Sequence, residues 1–324
     1  MENVFQYYGS SDVDNIFEKI REWIFTPEFI KLLQDFGKIG IQEDSLKSQV
    51  SELIEFSRRW DFRGKQTKDT SKNTESVRWT IADYDFSSQQ KENVMKAANK
   101  LGLIGCTVPS KKEYDYILVL GGARMSCLFR MKYAKQICDM YGIEAKYIVG
   151  LAGMREVMDT EREATDTYAL EARTEFDLMR AALFNVFGEL NLGDKEEYIN
   201  ENLNYSWARE GYHIQDTSIT LLAAPSGEPE KRRANTADTF AFFMERLQVK
   251  SRSDILLVTS QIYVPYQQLE AVRMLGIPYN HSLETIGFPN EWSVNLQGLQ
   301  KTENYLQEMR SVLQSAGRLI IQQS

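Results

Sequence analysis

Tyr116-Ile117-Leu118-Val119-Leu120-Gly121-Gly122 is the stretch on which the fold turns. Five apolar residues in an unbroken run suit a strand covered on both faces, whereas a strand with one wet face would alternate. The two glycines that end the run let the backbone turn sharply and come close to another group. Beyond them Met125, Leu128, Phe129, Lys132, Tyr133, Gln136, Ile137 and Met140 recur at helical spacing, so a helix can lie on the sheet with one face. The first amides of such a helix can hold an anion, and Arg124 stands beside them. The doublet also reads as a bare strand-to-helix turn. In open α/β sheets, however, the carboxyl end of a buried strand is where ligands bind.

Outward from that stretch the rhythm repeats. Ala145 to Gly153, Thr217 to Ala224 and Asp254 to Ser260 are further apolar strands, separated by helices over Thr174 to Gly188, Asn235 to Arg246 and Pro265 to Gly276. The alternation predicts an α/β fold, a doubly wound parallel sheet of about five strands. Residues 12–99 read instead as helices, with Ile16, Ile20, Trp23, Ile24 and then Phe29, Leu32, Leu33, Phe36 on amphipathic faces. A third helix is expected from Asp44 to Phe56, and a fourth capped by Ser87 or Ser88 with Val94, Ala97, Ala98 and Leu101 as its buried stripe. The expected organisation is a helical domain over residues 1–110, a sheet domain over 111–295 and a carboxyl-terminal helix within 296–324.

The whole chain bounds the function. Its 324 residues can bury a sizeable core, and 43% hydrophobic with 26% charged residues is ordinary globular composition. A net charge of −8 argues against a general nucleic-acid binder. No apolar run reaches bilayer length and the first residues lack a signal-peptide pattern, so a cytoplasmic protein without a membrane partner is expected. Cys106, Cys127 and Cys138 fit a reduced compartment, and Cys127 and Cys138, eleven apart in one helix with neither metal nor Cys-x-x-Cys spacing, read as packing residues. With only His213 and His281 besides, no metal is expected. Between the amino-terminal helices, Arg58 to Lys65 and Arg78-Trp79 interleave basic and aromatic residues, which suits either an anion clamp or a loop anchored by two tryptophans.

Five partial motifs in order across Tyr114 to Gly276 resemble the SanA/ElyC/YdcF family. They are Leu120-Gly121-Gly122, Gly150 to Gly153, Thr174-Glu175-Phe176 with Met179, Glu230 with Asn235-Thr236 and Asp238, and Val258-Thr259-Ser260. The resemblance implies a Rossmann-like domain of the soluble branch, with S-adenosylmethionine as the ligand. The sequence departs from the family at Arg233, where a serine is usual, at Tyr263, where a histidine is usual, and at Tyr266, where an arginine is usual.

These residues fall at the carboxyl ends of the expected strands and so would converge on one crevice. Glu175 and Glu230 can accept hydrogen bonds from ribose hydroxyls or an ammonium group, and Arg124 and Arg233 can pair with a carboxylate or phosphate. Gly121, Gly122, Gly150, Gly153, Asn235, Thr236, Thr259 and Ser260 complete the expected ligand-binding set. A first-turn charge at Glu175 and a helix cap at Asn235 explain those two residues without a ligand. Two functions remain: an enzyme acting on S-adenosylmethionine or a nucleotide-like anionic molecule, with Glu175 or Tyr263 carrying the proton, or a non-catalytic module that senses such a ligand. The reaction and the oligomeric state stay open.

Overall fold

A computed structural model of the chain describes residues 4–9, 12–42, 44–62, 84–214, 217–293 and 300–323. Seven strands form one sheet in the order β3-β4-β5-β2-β1-β6-β7. Its heart is the buried run itself: β1 (Glu113–Leu120) lies between β2 (Glu144–Gly153) and β6 (Asp254–Ser260), parallel to both. Parallel pairing continues to β5 (Thr217–Ala224) on one side and β7 (Ser282–Phe288) on the other, so the parallel part has five strands. β4 (Trp207–Ile214) and β3 (Leu192–Tyr198) extend it antiparallel beyond β5. Tyr7 adds a single antiparallel bridge to Leu283.

Alternate residues of each parallel strand feed two cores. Ile117, Val119, Ile148, Leu256 and Val258 point to the face covered by α5 (Ser126–Tyr141) and α7 (Glu175–Phe187). Leu118, Leu120, Val149, Ile255 and Leu257 point to the other face, under α8 (Thr236–Leu247) and α9 (Val264–Ala271). The same second core takes in α1 (Val13–Ile24), α2 (Pro27–Asp35), α3 (Leu46–Phe56), α4 (Ser88–Lys100) and the 22-residue α10 (Thr302–Gln323). All the apolar stripe residues expected for α1, α2 and α4 are buried, apart from Phe36, which is partly so. Ser87 caps α4, its hydroxyl accepting from Gln90 N, and Gly102 follows the helix in the left-handed conformation.

Two connections set up the crevice. Between β2 and α7 runs an arm containing α6 (Asp159–Thr165), clipped down by an antiparallel bridge from Glu156 to Thr174. At the start of α7 the Thr174 hydroxyl accepts from Asp177 N at 3.2 Å while the Asp177 carboxylate accepts from Thr174 N at 2.9 Å. That cap fixes the direction in which Glu175 leaves the helix. Among the described residues no helix is long and apolar enough to cross a membrane.

Candidate functional site

From β1 the chain moves to β2 on one side, and from β6 to β7 on the other, so the strand order reverses between β1 and β6. The crevice outside their carboxyl ends is the place where such sheets bind ligands. Gly121 and Gly122 lie at its floor, and the structure gives each a specific reason to lack a side chain. A Cβ on Gly121 would collide with Glu175 Oε1 and stand 2.5 Å from the Leu151 carbonyl oxygen. One on Gly122 would be 2.8 Å from Ser126 Cβ and 3.0 Å from Arg130 Nη1. The doublet makes room for a carboxylate and a guanidinium.

Arg130 is 3% exposed and was not singled out by the sequence. Its Nη1 donates to the carbonyls of Leu120, at 2.9 Å, and of Gly121, while Nη2 donates to Ser260 Oγ at 3.2 Å. One side chain on α5 therefore ties the end of β1 to the end of β6. Its guanidinium lies 5.8 Å from the Tyr263 ring centroid, within reach of a cation–π attraction. The turn between Gly122 and α5 passes through Arg124 at φ 52°, a left-handed backbone that costs a non-glycine residue about 1 kcal/mol. The Tyr168 hydroxyl, from the arm, donates to the Arg124 carbonyl at 2.9 Å and holds that turn.

The second cation is Arg155, immediately after β2. Its Nε donates to Glu175 Oε2 at 3.0 Å, while Nη1 and Nη2 donate to the two oxygens of Glu161 at 2.7 and 3.2 Å. Side-chain exposures of 9% for Arg155, 0% for Glu161 and 16% for Glu175 put the trio largely out of water. Burial alone would lower the guanidinium's basicity; Glu175 and Glu161 together reverse that and hold it firmly protonated. Glu161 is further fixed by Met158 N, which donates to its Oε2 at 2.9 Å. Glu175 Oε1, over Gly121, takes no hydrogen bond from the described residues. Close by, burial pushes the Cys127 thiol up to about 12, with Glu175 adding to the effect, so this cysteine is no nucleophile. Burial also pushes the Tyr168 phenol upward.

The structure thus brings Gly121, Gly122, Arg124, Glu175, Ser260 and Tyr263 to one crevice. Other expected residues do different work. Gly150 lies inside β2, where a Cβ would be 2.7 Å from Leu221 Cδ2 and 2.9 Å from Met179 Cγ; it lets α7 pack closely on the sheet. Gly153 ends β2 and, among the described residues, has only Ala234 Cβ, at 3.6 Å, near its open side. Asn235 caps α8, its Oδ1 accepting from Ala237 N and Asp238 N at 2.9 and 3.2 Å. Thr236 Oγ1 accepts weakly from Gln267 at 3.4 Å, and Glu230 accepts from the Tyr205 hydroxyl on an exposed loop. Arg233 is exposed. Thr259 is fully buried within β6, away from solvent. Trp60, one of the two expected anchors, is buried among Phe29, Phe36 and Phe56, while Arg63 to Asp83, with Trp79, lie outside the described residues. Among the described residues no three His, Cys, Asp or Glu side chains gather as a metal site requires.

Residues 8–102 match the family model described as the Rv3785 N-terminal domain. The uncharacterized protein Rv3785 of Mycobacterium tuberculosis (strain ATCC 25618 / H37Rv) is 30% identical over 331 residues, covering 96% of this chain and 91% of that protein. The uncharacterized protein Mb3814 of Mycobacterium bovis matches with the same identity and coverage. No solved structure matches. These relatives overturn the resemblance to the SanA/ElyC/YdcF family. The physical reason is visible in the motifs. Gly150 serves helix packing and Asn235 a helix cap, which any parallel α/β sheet can require.

Proposed function

The chain belongs to the Rv3785 family, and we propose that it binds a small nucleotide-like molecule with an anionic group at the carboxyl ends of β1 and β6, with Glu175 as its proton carrier. One observation carries this reading: Glu175 is anchored through Oε2 by Arg155 and presents Oε1 over the glycine turn. A carboxylate held by one oxygen offers the other in a fixed direction, as proton transfer to or from a bound molecule needs. Arg130 lies beside the turn, its Nη1 3.0 Å from the space above Gly122, and gives a field suited to an anionic group. Tyr263, against Arg130, lies at the wall of the crevice, where its phenol is a second proton carrier. S-adenosylmethionine, a nucleoside bearing a carboxylate, belongs to this ligand class and is tested with the rest of it.

The test is native mass spectrometry of the purified chain, first as isolated and then with adenosine 5′-monophosphate, adenosine 5′-diphosphate and S-adenosylmethionine added to ligand-free protein. A one-to-one complex with a member of this class is expected, with lower occupancy in the Glu175→Gln variant. If the isolated protein carries nothing and none of the three binds, the proposal falls.

A further inference from the structure

Glu161 is more than Arg155 requires. A single carboxylate would neutralise the guanidinium, yet two converge on it, and burying an extra charge is costly unless it is well paired. The fork is divided between them: both terminal nitrogens go to Glu161, leaving Nε for Glu175. Glu161 is anchored in turn to the first turn of α6 through Met158 N, and Arg155 Nη1 also donates to the Glu156 carbonyl at 3.0 Å. Arg155 is therefore locked to the arm before it meets Glu175. Freedom at Glu175 is confined to the one oxygen over Gly121.

A carboxylate oxygen accepts, so the group that approaches Oε1 is a hydrogen-bond donor. Positive charge lies at the next residue along, where Arg130 Nη1 comes within 3.0 Å of the space above Gly122. Consecutive Cα atoms are about 3.8 Å apart, so a donor and an anionic group a few bonds from each other in one molecule would meet Glu175 and Arg130 in turn.

Resting on the function proposed above, we infer that the crevice recognises a sugar-like hydroxyl through Glu175 Oε1, and that Arg155 and Glu161 are positioning residues that aim it. A ribose hydroxyl next to a phosphate is the chemistry this spacing fits. Arg155→Lys keeps the charge but removes the planar fork, so Glu175 loses its fixed direction.

Calorimetry with two probes on the full chain decides it: adenosine 5′-monophosphate and its 2′,3′-dideoxy analogue. Wild type is expected to bind the hydroxylated nucleotide roughly ten- to a hundredfold more tightly, the worth of one charge-assisted hydrogen bond. In Glu175→Gln and Arg155→Lys that ratio should collapse towards one. A purely structural role for Arg155 would instead weaken both probes equally or only lower the melting temperature, and would overturn the inference. Should Arg155→Lys fail to fold by circular dichroism, the isosteric Glu161→Gln replaces it, and an unchanged ratio there overturns the inference equally. Equal binding of both probes to wild type refutes hydroxyl recognition and leaves the nucleotide-site reading standing, whereas no binding of either removes both.

Discussion

Gly121→Ala and Gly153→Ala add the same methyl group to two glycines at the ends of neighbouring strands, yet the structure assigns them very different costs. At Gly121 the new Cβ meets Glu175 Oε1 and stands 2.5 Å from the Leu151 carbonyl oxygen and 3.1 Å from Ala152 Cα. Two of these three neighbours are backbone of β2, paired on both sides, and the third is pinned by Arg155. None can withdraw cheaply. Overpacking by one methyl costs about 1–3 kcal/mol, and the upper end applies where the surroundings are rigid. At Gly153 the nearest atom is Ala234 Cβ at 3.6 Å, ordinary van der Waals contact, so a change of under about 0.5 kcal/mol is expected. Urea unfolding of both variants beside wild type measures the difference as a shift in midpoint at unchanged slope. The prediction is a loss of about 3 kcal/mol for Gly121→Ala and almost none for Gly153→Ala. Equal stability of the two variants would refute the claim that Gly121 lacks a side chain in order to seat Glu175.

Further outcomes follow from single residues. Burial holds the His281 imidazole down at about 4 against its ordinary 6.5, and its Nδ1 accepts from Ser253 N at 3.1 Å. The folded state therefore favours the neutral ring; the associated stability is complete above pH 6.5 and is lost as pH falls towards 4, by roughly 2–3 kcal/mol. His281→Gln should flatten that part of the stability–pH curve measured by thermal melts, and an unchanged curve would place the effect elsewhere. Gln248, exposed after α8 at φ 47°, occupies a left-handed position that glycine adopts without strain; Gln248→Gly should raise stability by up to about 1 kcal/mol in urea unfolding. Asn235→Ala should cost about 1 kcal/mol through the lost cap of α8, with nucleotide affinity by calorimetry unaltered.

The parallel core was legible because continuous apolar runs have no other use: β1, β2, β5 and β6 all lie where such runs placed them. The other three strands break that signal for separate reasons. β3 is exposed at every position and carries Asp194, Lys195, Glu196 and Glu197, so its sequence reads as a polar loop. β4 buries Glu210 by pairing both oxygens with Arg180 at 2.8 Å. β7 buries Glu284, which accepts from Ser110 N, from the Ser110 hydroxyl and from the Tyr114 hydroxyl. A buried charge looks polar in sequence, and its partner lies tens of residues away. The same blindness hid the cations of the crevice. Arg155 and Glu161 fell in a stretch legible only as acidic and polar. Arg130 left one usable trace, an arginine among the buried positions of the helix that follows the glycine doublet. Glu175 was legible as a first-turn acid, but its tie to Arg155 was not.

Backbone amide NMR can detect a small polar ligand over Gly121 and Gly122. Adenosine 5′-monophosphate titrated into ligand-free, 15N-labelled protein should move the amide signals of Gly121, Gly122, Glu175 and Ser260 first and furthest, with saturation. The same titration on Glu175→Gln should need more nucleotide to reach the same shifts. Saturating shifts confined to another part of the sheet, or none at millimolar nucleotide, would contradict the account.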